Sequence, residues 1–174
     1  VIQAEDLLDL FGIAKMLEEE PLPRGNRVQI VTNGGGFGIV TADQLQSSGL
    51  RLAKLSSKTV KKLRKEMPKA TISNPLDILG DADVHRYSKA ISACLADSNV
   101  DILVVLALFS LPTLNPKKLA LMKAAGKKAR KPVIVISIGS GYTQQRLAEI
   151  EKAGFTTFSY PGASEPVLHD ISFT

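Results

Sequence analysis

The chain has 174 residues, of which 44% are hydrophobic and 22% charged, a composition typical of one globular domain. No apolar run approaches the ~20 residues that a membrane-spanning helix needs, so we expect no membrane partner. The formal net charge is +5, but aromatic residues make up only 5% and Trp is absent. Because nucleic-acid binding relies on aromatic platforms for base stacking, we expect no nucleic-acid partner either.

Cysteine and histidine are scarce, which limits redox and metal chemistry. The single cysteine, Cys94, excludes an internal disulfide and falls on the apolar face of a predicted helix, as a core residue does. Neither His85 nor His169 has a companion at metal-ligand spacing, so we expect no metal site and no catalytic histidine in this chain. The chain opens without a basic, apolar signal segment, so we expect a cytoplasmic protein.

Residues 4–19 predict an amphipathic helix, because apolar side chains recur among acidic ones. The apolar positions are Leu7, Leu8, Leu10, Phe11, Ala14, Met16 and Leu17. A stretch with two prolines, 18–25, ends the helix and acts as a linker. We therefore expect an N-terminal helix and linker over 1–25 and a flavodoxin-like domain over 26–174.

Residues 27–32 predict a strand, since they form an apolar run rich in β-branched side chains. The strand leads through Gly34, Gly35 and Gly36 into a helix that ends at Gly49. A helix that opens at a glycine turn is typical of an anion site, because the backbone can approach a ligand and first-turn N–H groups lack partners. Glycines also allow close helix packing, so both explanations stay open. We expect the helix to face the core through Phe37, Val40 and Leu45.

Strands and helices alternate along the rest of the chain. We predict further strands at Leu50–Leu55, Val100–Leu106, Val133–Ser137 and Thr156–Tyr160, and helices at Lys58–Glu66, Asp83–Leu95, 116–128, Thr143–Ala153 and 164–171. Ser56 and Ser57 are suited to cap the first of these helices. Between the first two of these helices, residues 73–81 predict a turn in which Asp77 and Asp81 bond local backbone N–H groups.

This alternation predicts an α/β fold with a doubly wound parallel sheet of five strands, for which the flavodoxin-like order 2-1-3-4-5 is common. That order makes strands one and three neighbours, and ligands bind in the crevice beyond their carboxyl ends. Residues 33–38 and 107–115 would line this crevice, the second loop leading to a helix that starts at Asn115-Pro116. Two helix N-termini at one crevice favour phosphate or carboxylate.

Five segments, spread over nearly the whole chain, resemble the NDP-forming acyl-CoA synthetases, the superfamily of ADP-forming acetyl-CoA synthetase and succinyl-CoA synthetase. The segments are residues 5–10, 21–28, 30–38, 49–56 and 74–82. The resemblance implies the second flavodoxin-like CoA-ligase domain of such an enzyme. It implies as partners a CoA-binding domain, a separate ATP-grasp domain, and a phosphate or acyl substrate. In such an enzyme a phosphohistidine loop, upstream of the opening helix, moves phosphate between the acyl site and the ATP-grasp domain.

The resemblance also implies which residues of this chain contact substrate. Asn33, Gly34 and Gly35, with Gly36, match the substrate-contacting turn, and 110–112 match the loop before the phosphate-facing helix. The residues of that loop are Ser110, Leu111 and Pro112. Two positions of the turn depart from the usual Asn-Ala-Gly-Gly-Pro-Gly, since Gly34 replaces alanine and Phe37 replaces proline. Ser110 and Leu111 stand where the succinyl enzymes have glycines.

The catalytic histidine loop has no match in the chain, so the resemblance implies no catalytic residue here. CoA, ATP or ADP, and Mg would belong to the complete enzyme, and we expect the isolated chain to bind no cofactor and to lack activity. The alternative is a ligand-sensing or scaffolding domain, as in ligase-like domains fused to a protein acetyltransferase. A third hypothesis is a structural domain whose glycines serve packing alone.

Overall fold

The computed structural model describes residues 2–108, 130–138, 141–152 and 154–160. The elements in chain order are α1 (Leu7–Glu19), β1 (Arg27–Thr32), α2 (Gly35–Ser47), β2 (Arg51–Leu52), α3 (Ser57–Glu66), β3 (Leu76–Asp77), α4 (Val84–Ala96), β4 (Ile102–Leu106), β5 (Val133–Ile138), α5 (Gly141–Lys152) and β6 (Thr156–Tyr160). The predicted helices at 116–128 and 164–171 lie outside the described residues.

The strands form one parallel sheet in the order β2-β1-β4-β5-β6, with β3 also paired to β1. The five predicted strands correspond to β1, β2, β4, β5 and β6, so the predicted flavodoxin-like order is confirmed. The register places Thr32 of β1 beside Leu106 of β4. The carboxyl ends of these two strands therefore meet, as the order requires.

The edge of β1 is shared by two short strands, which corrects the prediction of one strand over Leu50–Leu55. β2 pairs with the first residues of β1, and β3, which lies in the predicted turn, pairs with Val31 and Thr32. The side chain of Asn74 fills the gap between them. It accepts a hydrogen bond from the Ile30 N–H at 3.1 Å and donates to the carbonyls of Val28 and Ala53. The chain leaves β1 after Ala53 because this amide and β3 satisfy the remaining backbone groups.

Each face of the sheet carries its own apolar core. α1 and α2 cover one face with Met16, Ala42 and Leu45, whereas α3, α4 and α5 cover the other. β4 is buried at every residue, and its side chains alternate between the two cores. This double burial explains its continuous apolar sequence.

Several local predictions are confirmed. Ser56 caps α3 by accepting a hydrogen bond from the Thr59 N–H at 3.3 Å. Cys94 is fully buried, and burial raises the pKa of its thiol to about 12. His85 is exposed in the first turn of α4. Asp77 bonds the backbone N–H of Leu79 as expected.

Asp81 also bonds a local group, its own backbone N–H, and in addition pairs with the guanidinium of Arg86. The predicted inward position of Val40 is wrong. Val40 is 53% exposed, because Gly38, Thr41, Ala42 and Leu45 form the buried face of α2.

The largest departure concerns α1. Of its predicted apolar residues only Met16 is buried, together with Asp9, Gly12 and Ile13. The exposed ones include Leu7, Leu8, Leu10, Phe11 and Leu17. Hydrogen bonds hold this helix to the far edge of the sheet, from Lys15 to the carbonyl of Thr157 and from Thr156 to Glu20. Across the described ranges, no helix has the length and apolarity needed to cross a bilayer.

Candidate functional site

The glycine turn begins where β1 ends and is held by two polar side chains, Thr32 at the end of the strand and Asn33 directly after it. Thr32 is fully buried, and its hydroxyl oxygen accepts a hydrogen bond from the Gly34 N–H at 2.9 Å. The same hydroxyl lies 3.1 Å from the Gly34 carbonyl, to which it can donate. Gly34 is the N-cap residue of α2 and has no side chain to cap it. The threonine therefore takes over the local hydrogen bonds at the start of the helix.

The next residue, Asn33, joins the turn to the chain that leaves β4. Its amide nitrogen donates to the Leu108 carbonyl at 3.2 Å, and its amide oxygen accepts from the Leu108 N–H at 2.9 Å. Asn33 is buried, so these two bonds satisfy groups that water does not reach freely. The pair of bonds fixes the first of the two predicted loops against the start of the second. Ser110, Leu111 and Pro112 follow in that second loop but lie outside the described residues.

The three glycines of the turn have different surroundings. A Cβ on Gly34 would approach Leu108 Cδ1 to 2.5 Å, and one on Gly35 would approach Asp77 Oδ2 to 2.7 Å. A Cβ on Gly36 would have no heavy atom of the described residues within 4 Å. Within the described residues, no acceptor takes a hydrogen bond from the N–H of Gly35 or Gly36. These two first-turn groups are therefore available to an anion, whereas the Gly34 N–H is already used.

The packing explanation of the glycines holds for a fourth one, Gly38. Its Cβ would meet Thr32 Cγ2 at 2.9 Å and Pro75 Cβ at 3.1 Å, so only glycine lets α2 lie this close to the strand and the turn before β3. The motif thus contains both kinds of glycine. Gly38 serves packing, and Gly36 faces open space at the helix N-terminus.

Two residues that the sequence did not assign to the site also lie beside the turn. The Asp77 carboxylate of β3 stands next to Gly35. Tyr87 of α4 donates its hydroxyl to the Leu106 carbonyl at 3.2 Å, at the carboxyl end of β4. Burial raises the pKa of this hydroxyl, a backbone hydrogen bond from Asn33 lowers it in part, and the Asp77 charge raises it further. Asp77, Tyr87 and Asn33 therefore meet beneath the glycine turn. The sequence placed Asp77 in the turn 73–81, but hydrogen bonds to local N–H groups were enough to explain an aspartate at that position.

The arrangement places two backbone N–H groups, with no acceptor among the described residues, at the start of α2. Two N–H groups and the positive end of the α2 dipole attract an anion, while the neighbouring Asp77 charge opposes one. Among the described residues, no group of three His, Cys, Asp or Glu side chains is arranged to hold a metal ion. His85 does not lie at this crevice. It lines a separate shallow cleft of about 410 Å³ between the end of α3 and the start of α4.

Comparison with known proteins identifies the family of the chain. The model of the family described as the Ligase-CoA domain matches residues 28–167. The chain belongs to this family. The match includes the glycine turn, the sheet and the segment 110–112, and it begins after α1 and the linker. The predicted resemblance to the ADP-forming acyl-CoA synthetases is thereby confirmed.

Similar proteins carry this ligase-CoA domain within longer chains. The alpha subunit of ADP-forming acetate–CoA ligase II from Pyrococcus furiosus is 34% identical over 169 residues, which is 92% of this chain and 36% of that protein. The ADP-forming acetate–CoA ligase I of Archaeoglobus fulgidus is 29% identical over 92% of this chain and 22% of its own. The chain therefore spans about a third or less of these two relatives.

A solved structure supports the fold assignment of the ligase-CoA domain. The acetyl-coenzyme A synthetase 1 of Ca. Korarchaeum cryptofilum, described as dinucleotide-forming and solved in complex with phosphate and ADP, matches with a TM-score of 0.84 and 27% identity. The match covers 98% of this chain and 38% of that one. The architecture thus belongs to a known class of ligase structure.

Proposed function

We propose that this ligase-CoA domain forms part of the phosphoryl and acyl site of an ADP-forming acid–CoA ligase. Such an enzyme interconverts acyl-CoA, ADP and phosphate with a carboxylic acid, ATP and CoA. The observation that carries the proposal is the two-bond clamp from Asn33 to Leu108, which fixes the glycine turn at the junction of β1 and β4. Ligands bind at this junction in open α/β sheets. The relatives named as ADP-forming acetate–CoA ligases supply the reaction.

Each proposed site residue has a distinct task. Gly35 and Gly36 offer N–H groups to the phosphoryl or carboxylate oxygens, and Asn33 holds the turn in place. Gly34 leaves room for the Leu108 side chain, which occupies the space of the alanine methyl group in the usual motif. We propose that Ser110, Leu111 and Pro112 complete the crevice from the second loop.

Other parts of the ligase would supply the remaining chemistry. We propose that CoA binds a CoA-binding domain and that ATP or ADP, with Mg, binds an ATP-grasp domain, both beyond this chain. A phosphohistidine loop would carry phosphate between the two sites, so the isolated chain should be inactive. We place the complete ligase in the cytoplasm. The relatives reported above are named as ligases or synthetases, and we therefore favour this function over a scaffolding or ligand-sensing domain.

A phosphate titration of the isolated chain followed by NMR tests the site. Each helix dipole contributes only about 0.3–1 kcal/mol to an anion near the surface, so we expect millimolar affinity. The amides of Gly35 and Gly36 should shift with phosphate concentration. Shifts confined to the lysine-rich surface of α3, with both glycine amides unmoved, would contradict the proposed position.

Two substitutions should change the affinity for phosphate in opposite directions. Asp77→Asn removes the charge beside Gly35 and keeps an acceptor for Leu79, so phosphate should bind about fivefold more tightly, because one nearby charge is worth about 1 kcal/mol in water. Asn33→Ala should weaken phosphate binding and cost about 1–3 kcal/mol of stability, since both Leu108 groups lose their partner. Asn26→Ala is the matched control, because it removes a similar amide bond to Gly49 away from the crevice. Equal phosphate affinity in all four proteins would contradict the site.

A further inference from the structure

The exposed side of α1 is more apolar than the side that packs against the sheet. We call this side, formed by Leu7, Leu8, Leu10, Phe11 and Leu17, the outer face of α1. Leu8 is 70% exposed and Phe11 67%. At 100° per residue, Leu7 and Phe11 lie opposite the buried residues of the helix, and Leu8 and Leu17 stand at the two borders of the outer face. The helix is therefore apolar on two opposite sides.

Such a helix is unusual on the surface of a domain. A surface helix normally has one apolar stripe, and a helix that is hydrophobic all round is buried. A contiguous exposed apolar patch marks an interaction site. The outer face thus predicts that something covers α1 in the assembled protein.

Hydrogen bonds show where the outer face lies relative to the candidate site. Glu20 bonds the first residue of β6, Thr156, and Lys15 bonds the next residue, Thr157, and lies over the ring of Phe158. α1 therefore runs antiparallel to β6, from the carboxyl edge of the sheet toward the amino edge. At a rise of ~1.5 Å per residue, Leu8 lies about 10 Å nearer the carboxyl edge than Lys15. The outer face thus extends toward the edge that holds the glycine turn.

The charged residues around the outer face indicate what kind of partner surface can bind it. Exposed acidic residues stand at both ends of the helix, Glu5 and Asp6 before it and Glu18 and Glu19 in its last turn. The only cation of α1, Lys15, is paired with Glu151. An antiparallel pairing of two α1 helices would bring acids against acids, which disfavours a second copy of this chain. The complementary surface is apolar and bordered by Lys or Arg.

We propose that the outer face of α1 docks a companion domain of the same ligase, one that presents apolar side chains flanked by Lys or Arg. The inference rests on the proposed function for the identity of the partner. The relatives support a partner within the ligase, since each is about three times as long as this chain or longer. A domain seated on the outer face also lies beside the carboxyl edge of the sheet, the edge at which the glycine turn follows β1.

A binding measurement tests the proposal. The remaining domains of the ligase, expressed as a separate polypeptide, are titrated with this chain in a calorimeter. The double variant Leu8→Lys/Phe11→Lys places two cations against the basic border of the partner, and we expect it to weaken binding about tenfold or more. Leu22→Lys is the matched control, because Leu22 is 65% exposed in the linker outside the outer face, and its binding should equal that of the unmodified chain.

Further measurements separate the outcomes. Thermal unfolding of the isolated double variant should match that of the unmodified chain, which excludes misfolding as the cause of lost binding. Unchanged binding by the double variant overturns the proposal. A dimer of the isolated chain that the double variant converts to a monomer also overturns it, because the occupant would then be a second copy. The unmodified assembly is also assayed for ATP formation from acyl-CoA, ADP and phosphate. If it forms no ATP while the double variant loses binding, the docking surface is supported and the proposed function is contradicted.

Discussion

Helices α1 and α4 have the same length, 13 residues each, yet they relate to the core in different ways. α4 buries seven residues in one stripe against the sheet, including Tyr87, Ile91 and Cys94. α1 buries four, of which only Ile13 and Met16 bring large apolar side chains. The comparison separates apolar surface that folds the domain from apolar surface that remains for a partner, although both look alike in the sequence.

Removal of the largest buried side chain of α4 should have the greatest effect on stability. Tyr87→Ala leaves a cavity and removes the hydrogen bond to the Leu106 carbonyl, so we expect a loss of about 3–5 kcal/mol, as for other buried aromatic residues. Urea unfolding of the isolated chain measures this loss. A change below about 1 kcal/mol would show that α4 does not hold the core in the way its burial indicates.

Acid should weaken the link between Asp97, which follows α4, and the start of α3, with an effect on stability smaller than that of Tyr87→Ala. Burial alone would raise the pKa of Asp97, but hydrogen bonds from Asn99, Thr59 and Ser56 outweigh it and hold that pKa below its usual range. Because the folded pKa is depressed, the stabilisation is present above the unfolded pKa of ~3.9 and is lost as the pH falls through the folded pKa. Urea midpoints measured from pH 6 down to pH ~2 should fall more steeply in the unmodified chain than in Asp97→Asn. Parallel curves would contradict this role of Asp97.

The smallest effect is expected on the outer face of α1. Phe11→Ala in the isolated chain should change the free energy of unfolding by less than about 0.5 kcal/mol, because the ring is 67% exposed. The same urea unfolding experiment measures it beside Tyr87→Ala. A loss of several kcal/mol would place Phe11 in the core of the domain and remove the distinction between the two helices.

Much of the site was predictable from the order of the strands. The β-branched run of β1, the glycines after it and the buried strand β4 place the turn at the junction of β1 and β4, and the structure confirms that junction. The Asp77 carboxylate beside Gly35 was not predictable. It reaches the turn only because β3 pairs with the last residues of β1, and a strand of two residues has no periodic pattern to recognise. The clamp between Asn33 and Leu108 joins residues 75 positions apart, which no local pattern encodes.

The sequence by itself determined the fold class, the strand order, the Ser56 cap and the buried Cys94, because each follows from local periodicity or from rules on how parallel strands connect. The tertiary structure decided which side of α1 meets the sheet. A helix with apolar residues on two sides has two ways to pack, and contacts at a distance in the chain choose between them. Here Glu20 and Lys15 bind the start of β6 and turn Ile13 and Met16 inward, which leaves Leu8 and Phe11 outside.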